Sequence, residues 1–187
     1  QNGHQDVVAL LLQAPGFDPN VCTHKGSATP LYIASYNGHL EVVHALLADP
    51  RVQPDLRDRQ GGNALYAACQ MGQLPIVEAF FQLPPNRCMD PNARTSLGGT
   101  ALHIACQNGH SHVVRRLLAD PRVDPTITSH EGATCMVSAC QRGHAEVVGV
   151  LLADGRVSPC QPMGWSEVLQ MDDCTPLYLA CHFACVE

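Results

Sequence analysis

The chain has 187 residues, 45% hydrophobic, 15% charged and 5% aromatic, a composition that excludes intrinsic disorder and allows a substantial buried core. Eleven basic and seventeen acidic residues leave a formal net charge of -6 with no basic block, so binding to a nucleic-acid backbone is not expected.

In chain order, the predicted elements repeat. Asn2-Gly3-His4 precedes an apolar stripe, Val7-Val8 with Leu11-Leu12, that ends ahead of Pro19. It reads as one helix and a loop. Thr29 opens the next helix, because its side chain can accept from free backbone N–H groups, and Pro30 sits at the first helical position, where no donor is missed. That helix spans about nine residues by the spacing and stops at Gly38, since glycine can take the left-handed conformation that closes a helix. The following helix carries Leu40, Val43 and Leu47 on one face and ends at Pro50, because proline cannot continue it. The same pair recurs from Asn63 through Gly72 to Pro84, from Thr100 through Gly109 to Pro121, and from Thr134 through Gly143. Thr175-Pro176-Leu177-Tyr178-Leu179-Ala180 opens the pattern again, and the chain runs out inside that helix.

The cap positions Thr29, Asn63, Thr100, Thr134 and Thr175 are separated by 34, 37, 34 and 41 residues. Helices this short are marginal alone and must bury their apolar faces on neighbouring copies. The expected fold is therefore all-α, a stack in which each unit touches only adjacent units.

On these residues the chain resembles the ankyrin repeat family. Thr29-Pro30-Leu31-Tyr32-Ile33-Ala34 is similar to its threonine-proline-leucine-histidine signature, and Asn37-Gly38-His39-Leu40-Glu41-Val42-Val43 is similar to its helix–helix junction. The resemblance implies an ankyrin-repeat solenoid of stacked helix-turn-helix units with projecting loops. It would form a single domain over 1–187, with a partial unit 1–28, units 29–62, 63–99, 100–133 and 134–174, and a partial unit 175–187. No recognisable polar cap closes either end, so the stretch is expected to belong to a longer array. The signature histidine survives only as His103, with Tyr32, Tyr66, Val137 and Tyr178 at the other positions. Any bond the family makes through it is not carried over there. The family's glycine-alanine-aspartate loop is replaced by forms such as Asp120-Pro121-Arg122-Val123-Asp124-Pro125.

Two units are longer than the rest. Three residues are added near Pro84-Pro85-Asn86-Arg87-Cys88. About seven more are inserted around 161–169, and insertions in solenoids project from one face, often the binding face. The second insertion carries the single tryptophan, Trp165, with Met163 and Leu169. Trp165 either anchors an interface or folds back over the exposed side of the stack.

Other groupings point to structure. Cys69, Cys106, Cys140 and Cys181 share one repeat position with Ser35, where a small side chain suits close helix packing. Stacked helices lie about 8–10 Å apart, too far for a disulfide, so buried free thiols in a reducing compartment are expected. Cys174, Cys181 and Cys185 with His182 lack the paired spacing of a zinc knuckle. His110 and His112 diverge on a helix and make a poor chelate. His4, His39, His110 and His144 recur at the junction, which indicates a structural role. No phosphate loop, nucleophile elbow or His-Glu-x-x-His is present, so no enzyme, metal, cofactor or small-molecule substrate is expected.

The family resemblance implies contacts through loop tips and the exposed side of each unit's first helix. The tips are His24-Lys25, Arg57-Asp58-Arg59-Gln60, Thr95-Ser96-Leu97 and Ser129-His130-Glu131. The helix-face candidates are Tyr36, Gln70, Met71, Gln107, Asn108, Gln141 and Arg142. The expected partner-binding set is Trp165, Met163, Leu169, Arg57, Arg59, Lys25, His130, Glu131, Tyr36, Gln70, Met71, Gln107 and Arg142. The expected function is a non-catalytic protein–protein interaction module or scaffold that binds a partner protein. Its expected setting is intracellular and cytoplasmic, without membrane insertion. The alternative is a structural spacer or regulatory segment of a larger multidomain enzyme, channel or adaptor.

Overall fold

Two rows of helices run side by side along the computed structural model, which describes residues 4–23, 27–161 and 174–184. The inner row is α2 (Pro30–Tyr36), α4 (Ala64–Gln70), α6 (Ala101–Gln107), α8 (Cys135–Gln141) and α10 (Pro176–Ala184). The outer row is α1 (Gln5–Gln13), α3 (Leu40–Ala48), α5 (Leu74–Phe81), α7 (Ser111–Leu118) and α9 (Ala145–Asp154). Each inner helix from α2 to α8 packs on its successor in the row and on the outer helix that follows it in the chain. No β-strand occurs among the described residues. The fold is the all-α solenoid that the spacing implies.

The inner helices bury small residues, Ala34, Ala67, Ala68, Cys69, Ala105, Cys106 and Ala139, together with Leu31, Leu65, Leu102 and Met136. The outer helices bury Val43, Leu46, Ile76, Phe80, Val114, Leu117 and Leu151 among others. Ser35 is the departure. It occupies the cysteine position of α2, and its hydroxyl is the one buried side-chain polar atom without a partner among the described residues.

The caps form as the residue types dictate. Thr29 accepts from the Tyr32 N–H at 3.1 Å, Asn63 from Tyr66 at 3.0 Å, Thr134 from Val137 at 3.3 Å and Thr175 from Tyr178 at 3.3 Å. Helices α2, α4, α6 and α8 are seven residues long rather than about nine, because the residues just ahead of each outer helix are spent on the turn. Gly109 has φ +77, and a Cβ there would lie 2.7 Å from His144 Nδ1. The same histidine donates from Nε2 to the Gln107 carbonyl at 2.9 Å, and His110 donates likewise to Gln70 at 3.1 Å. The recurrent junction histidines therefore tie one turn to the preceding one.

Arginines tie the outer row in the same direction. In Asp49-Pro50-Arg51 and Asp154-Gly155-Arg156 the aspartate grips the guanidinium, at 2.6 and 2.7 Å. This contact holds both carboxyls below their ordinary range. The guanidinium then reaches back to backbone carbonyls around the end of the preceding outer helix. Arg51 donates to Leu12 and Phe17, and Arg156 to Leu118 and Val123. The added residues at 84–88 belong to this device rather than to a projecting loop. A 3-10 turn, Pro85–Arg87, aims Arg87 at the carbonyls of Leu47, Asp49 and Val52, at 2.6, 2.9 and 3.0 Å. Arg122 differs: it lies 5.4 Å over the Phe81 ring, which Arg116 also covers at 4.5 Å.

Two thiols depart from expectation. Cys69 and Cys106 are buried, but Cys140 is half-buried and Cys181 exposed. For Cys181 the cause is position in the row: α10 packs on α8, and no described helix packs on its other side; α8 has a neighbour on each side, so this does not account for Cys140. Cys174 is buried.

Arg87→Ala is expected to lower unfolding free energy by about 1–2 kcal/mol, since three carbonyls lose a charged donor; urea denaturation measures this, and an unchanged midpoint would contradict the tie. Ser35→Cys should raise stability by about 1 kcal/mol by removing an unpaired buried hydroxyl. A destabilised variant in the same titration would show that this hydroxyl is satisfied.

Candidate protein-binding groove

Between the inner row and the loops above it runs a groove whose walls follow from local hydrogen bonding. Each of the three described loop tips, at 57–60, 95–97 and 129–131, is a tight turn. In the first, Asp58 N–H donates to the Gly62 carbonyl at 2.8 Å, and its carboxylate accepts from Gln60 and Gly62. Thr95 with Gly99 and Ser129 with Ala133 close the next two, at 2.9 and 2.8 Å. Gly98, at φ +80, permits the second turn and leaves room for His130, whose ring carbon would lie 2.6 Å from a Cβ there. The tips are also joined to one another. Ser96 N–H donates to the Gln60 carbonyl at 2.7 Å, and His130 N–H to Leu97 at 3.0 Å. Arg94 braces the row by donating to Thr128 at 2.7 Å.

His103 connects this wall to the helices below. Its Nδ1 accepts from the Thr100 N–H at 3.3 Å, so Nδ1 is unprotonated and the hydrogen sits on Nε2. The Thr100 hydroxyl, at 3.0 Å, then donates to Nδ1, and Nε2 donates to the Ala133 carbonyl at 3.2 Å. Burial holds His103 below the ordinary histidine value of 6.5; the Ala133 bond opposes this, and the Arg94 charge adds to it. At the matching position Tyr32 reaches towards the next tip in its own way. Burial first, and then the Asp58 carboxylate beside it, push its phenol up to about 12. Burial and Asp58 raise Tyr66 in the same order.

The groove deepens into a cavity of about 300 Å³ between the second and third tips. Of the sequence-derived tip and helix-face candidates, Thr95, Leu97, Gln107, Ser129, His130, Glu131 and Gln141 meet there. Tyr36 ends α2 and is 37% exposed, while Met71, which caps α4, is 42% exposed. Gln70 is half-buried, with its carbonyl taken by Asn108 and His110. Arg142 is exposed at the end of α8. Arg57 is exposed and faces Asp55 at 3.7 Å, and Arg59 is exposed in the first tip. None of these six lines the cavity. Lys25, Met163, Trp165 and Leu169 lie outside the described residues.

Tyr66 and Ile104 also line the cavity, although the sequence reading assigned them to the fold. Leu97 lines it too, and at 77% exposure it is the most exposed large apolar side chain described. The sequence reading named Leu97 as part of its tip, where the other described tips carry Gln60 and Glu131. Among the described residues no group of three or more His, Cys, Asp or Glu side chains is placed to hold a metal ion. No described helix is long and apolar enough to cross a membrane.

A family model described as Ankyrin repeats (3 copies) matches residues 1–86 and 79–159. The chain belongs to the ankyrin repeat family, as its helix pairs and junctions indicate. Ankyrin repeats are generally protein–protein interaction modules and are typically non-catalytic.

His103 gives the groove wall a defined acid response. The folded chain holds the imidazole neutral, so protons bind preferentially to the unfolded chain, and stability falls as pH drops through 6.5 towards the lowered folded value. Between pH 7.5 and 5.5 wild type should lose more thermal stability than His103→Tyr, which installs the residue found at three other repeats; equal losses would place the titrating group elsewhere.

Proposed function

We propose that the chain is a non-catalytic protein-interaction module that grips a partner protein with its loop tips and the concave face of the inner helices. It works as one domain whose units follow the cap positions. The observation that carries this reading is the groove between the second and third tips. There an exposed Leu97, half-buried Tyr66 and the amides of Gln107 and Gln141 face one open space. Apolar anchors beside adaptable hydrogen-bonding groups are what a peptide-binding surface needs. The walls are held by backbone bonds between tips, so little ordering is required on binding. The unpaired thiols of the described residues fit an intracellular, cytoplasmic setting.

Tyr36, Met71, Arg57, Arg59 and Arg142 extend this surface along the inner row and the tips, and Lys25, Met163, Trp165 and Leu169 complete the proposed set. The second reading, a spacer or regulatory segment within a larger protein, draws on the repeats being bound to one another on both sides along the row.

Partner capture from cell extract by the wild-type chain is compared with capture by Leu97→Ser/Gln107→Ala. The double variant is expected to retain thermal stability and bind about tenfold more weakly, a loss near 1.4 kcal/mol. Undiminished capture would remove the groove from the binding surface and favour the spacer reading.

A further inference from the structure

The groove's walls are chemically uneven, and the unevenness specifies an occupant. Its lining holds apolar groups, Leu97 of the second tip with Tyr66 and Ile104. It also holds the amides of Gln107 and Gln141, each able to donate and accept. Glu131 lines it too, exposed and without an ion-pair partner among the described residues. The cation of the second tip, Arg94, is turned to the Thr128 carbonyl at 2.7 Å. Arg142 follows Gln141 at the C-terminal end of α8 but does not line the groove. The space, about 300 Å³, is at the bottom of the range for small-molecule pockets and suits side chains of a passing strand.

Resting on the interaction-module reading, we infer that this groove takes an extended segment of a partner protein in which an aliphatic side chain is followed or preceded, within a few residues, by a lysine or arginine. The aliphatic group packs on Leu97, Tyr66 and Ile104. The partner's backbone exchanges hydrogen bonds with the two glutamines, and its cation meets Glu131. The chain's overall charge of -6 favours the same encounter at long range. An acidic segment would bring like charge to Glu131, and a wholly apolar one would leave that carboxylate unanswered.

A phage library of random twelve-residue peptides, selected against the 187-residue chain, tests this. Selected clones should carry an aliphatic residue close to a basic one and bind Leu97→Ser at least about tenfold more weakly. Selection against Glu131→Lys should return acidic residues at the basic position. Both substitutions lie on exposed side chains, and circular dichroism melting of each variant verifies folding. If Glu131→Lys still selects basic peptides, or Leu97→Ser binds the clones equally, the partner chemistry is wrong. The groove reading then survives only if Gln107→Ala/Gln141→Ala still weakens them. If no clone is selected, or none responds to any of these substitutions, both fail.

Discussion

A seven-residue helix is nearly all ends. Four N–H groups at its start and four carbonyls at its finish have no partner within it, and the inner helices α2, α4, α6 and α8 are no longer than that. Left to water, such a helix does not persist. The structure rests on how these end groups are supplied. The starts are answered locally by Thr29, Asn63, Thr134 and Thr175. Finishes are answered from the next repeat, by His110 and His144 for the inner helices α4 and α6 and by Arg51, Arg87 and Arg156 for the outer helices α1, α3 and α7. Apolar burial supplies most of the cohesion, but these polar ties set where each pair of helices must sit. A slip by one residue would leave charged donors and bare carbonyls apart.

The groove inherits that precision. Its tips are not free loops, because each bonds to the next through backbone atoms, and Arg94 and His103 bind them to one another and to the helices beneath. The side chains presented at the tips can therefore vary without altering the frame. Gln60, Leu97 and Glu131 hold equivalent places and could hardly be more different. This is how one scaffold accommodates many partners: the backbone supplies position, and a few side chains supply choice.

Much of this was legible beforehand. Caps, turn glycines and helix-stopping prolines are local features, and they placed the helices closely. What sequence could not supply was adjacency. Arg87 looked like part of an inserted loop, and only the fold brings it to carbonyls of the preceding repeat, up to 40 positions earlier. Tyr66, Leu97 and Gln107 are separated by loops and helices, so their shared space is not written in any short window. Tyr66 was read through its repeat position alone, whereas its side chain also faces the groove. Cys181 was judged by the same logic, yet α10 has a described inner helix on one side only, and residue type alone does not bury a side chain at the end of a row.

The arginine-to-carbonyl ties in the outer row point one way. Arg51, Arg87 and Arg156 each reach towards the N-terminus, to carbonyls 33–40 positions earlier. A chain emerging from the ribosome can thus secure each finished helix pair as soon as roughly one more repeat has been made. Growth and locking proceed in the same direction, and only the newest segment waits for its fastening.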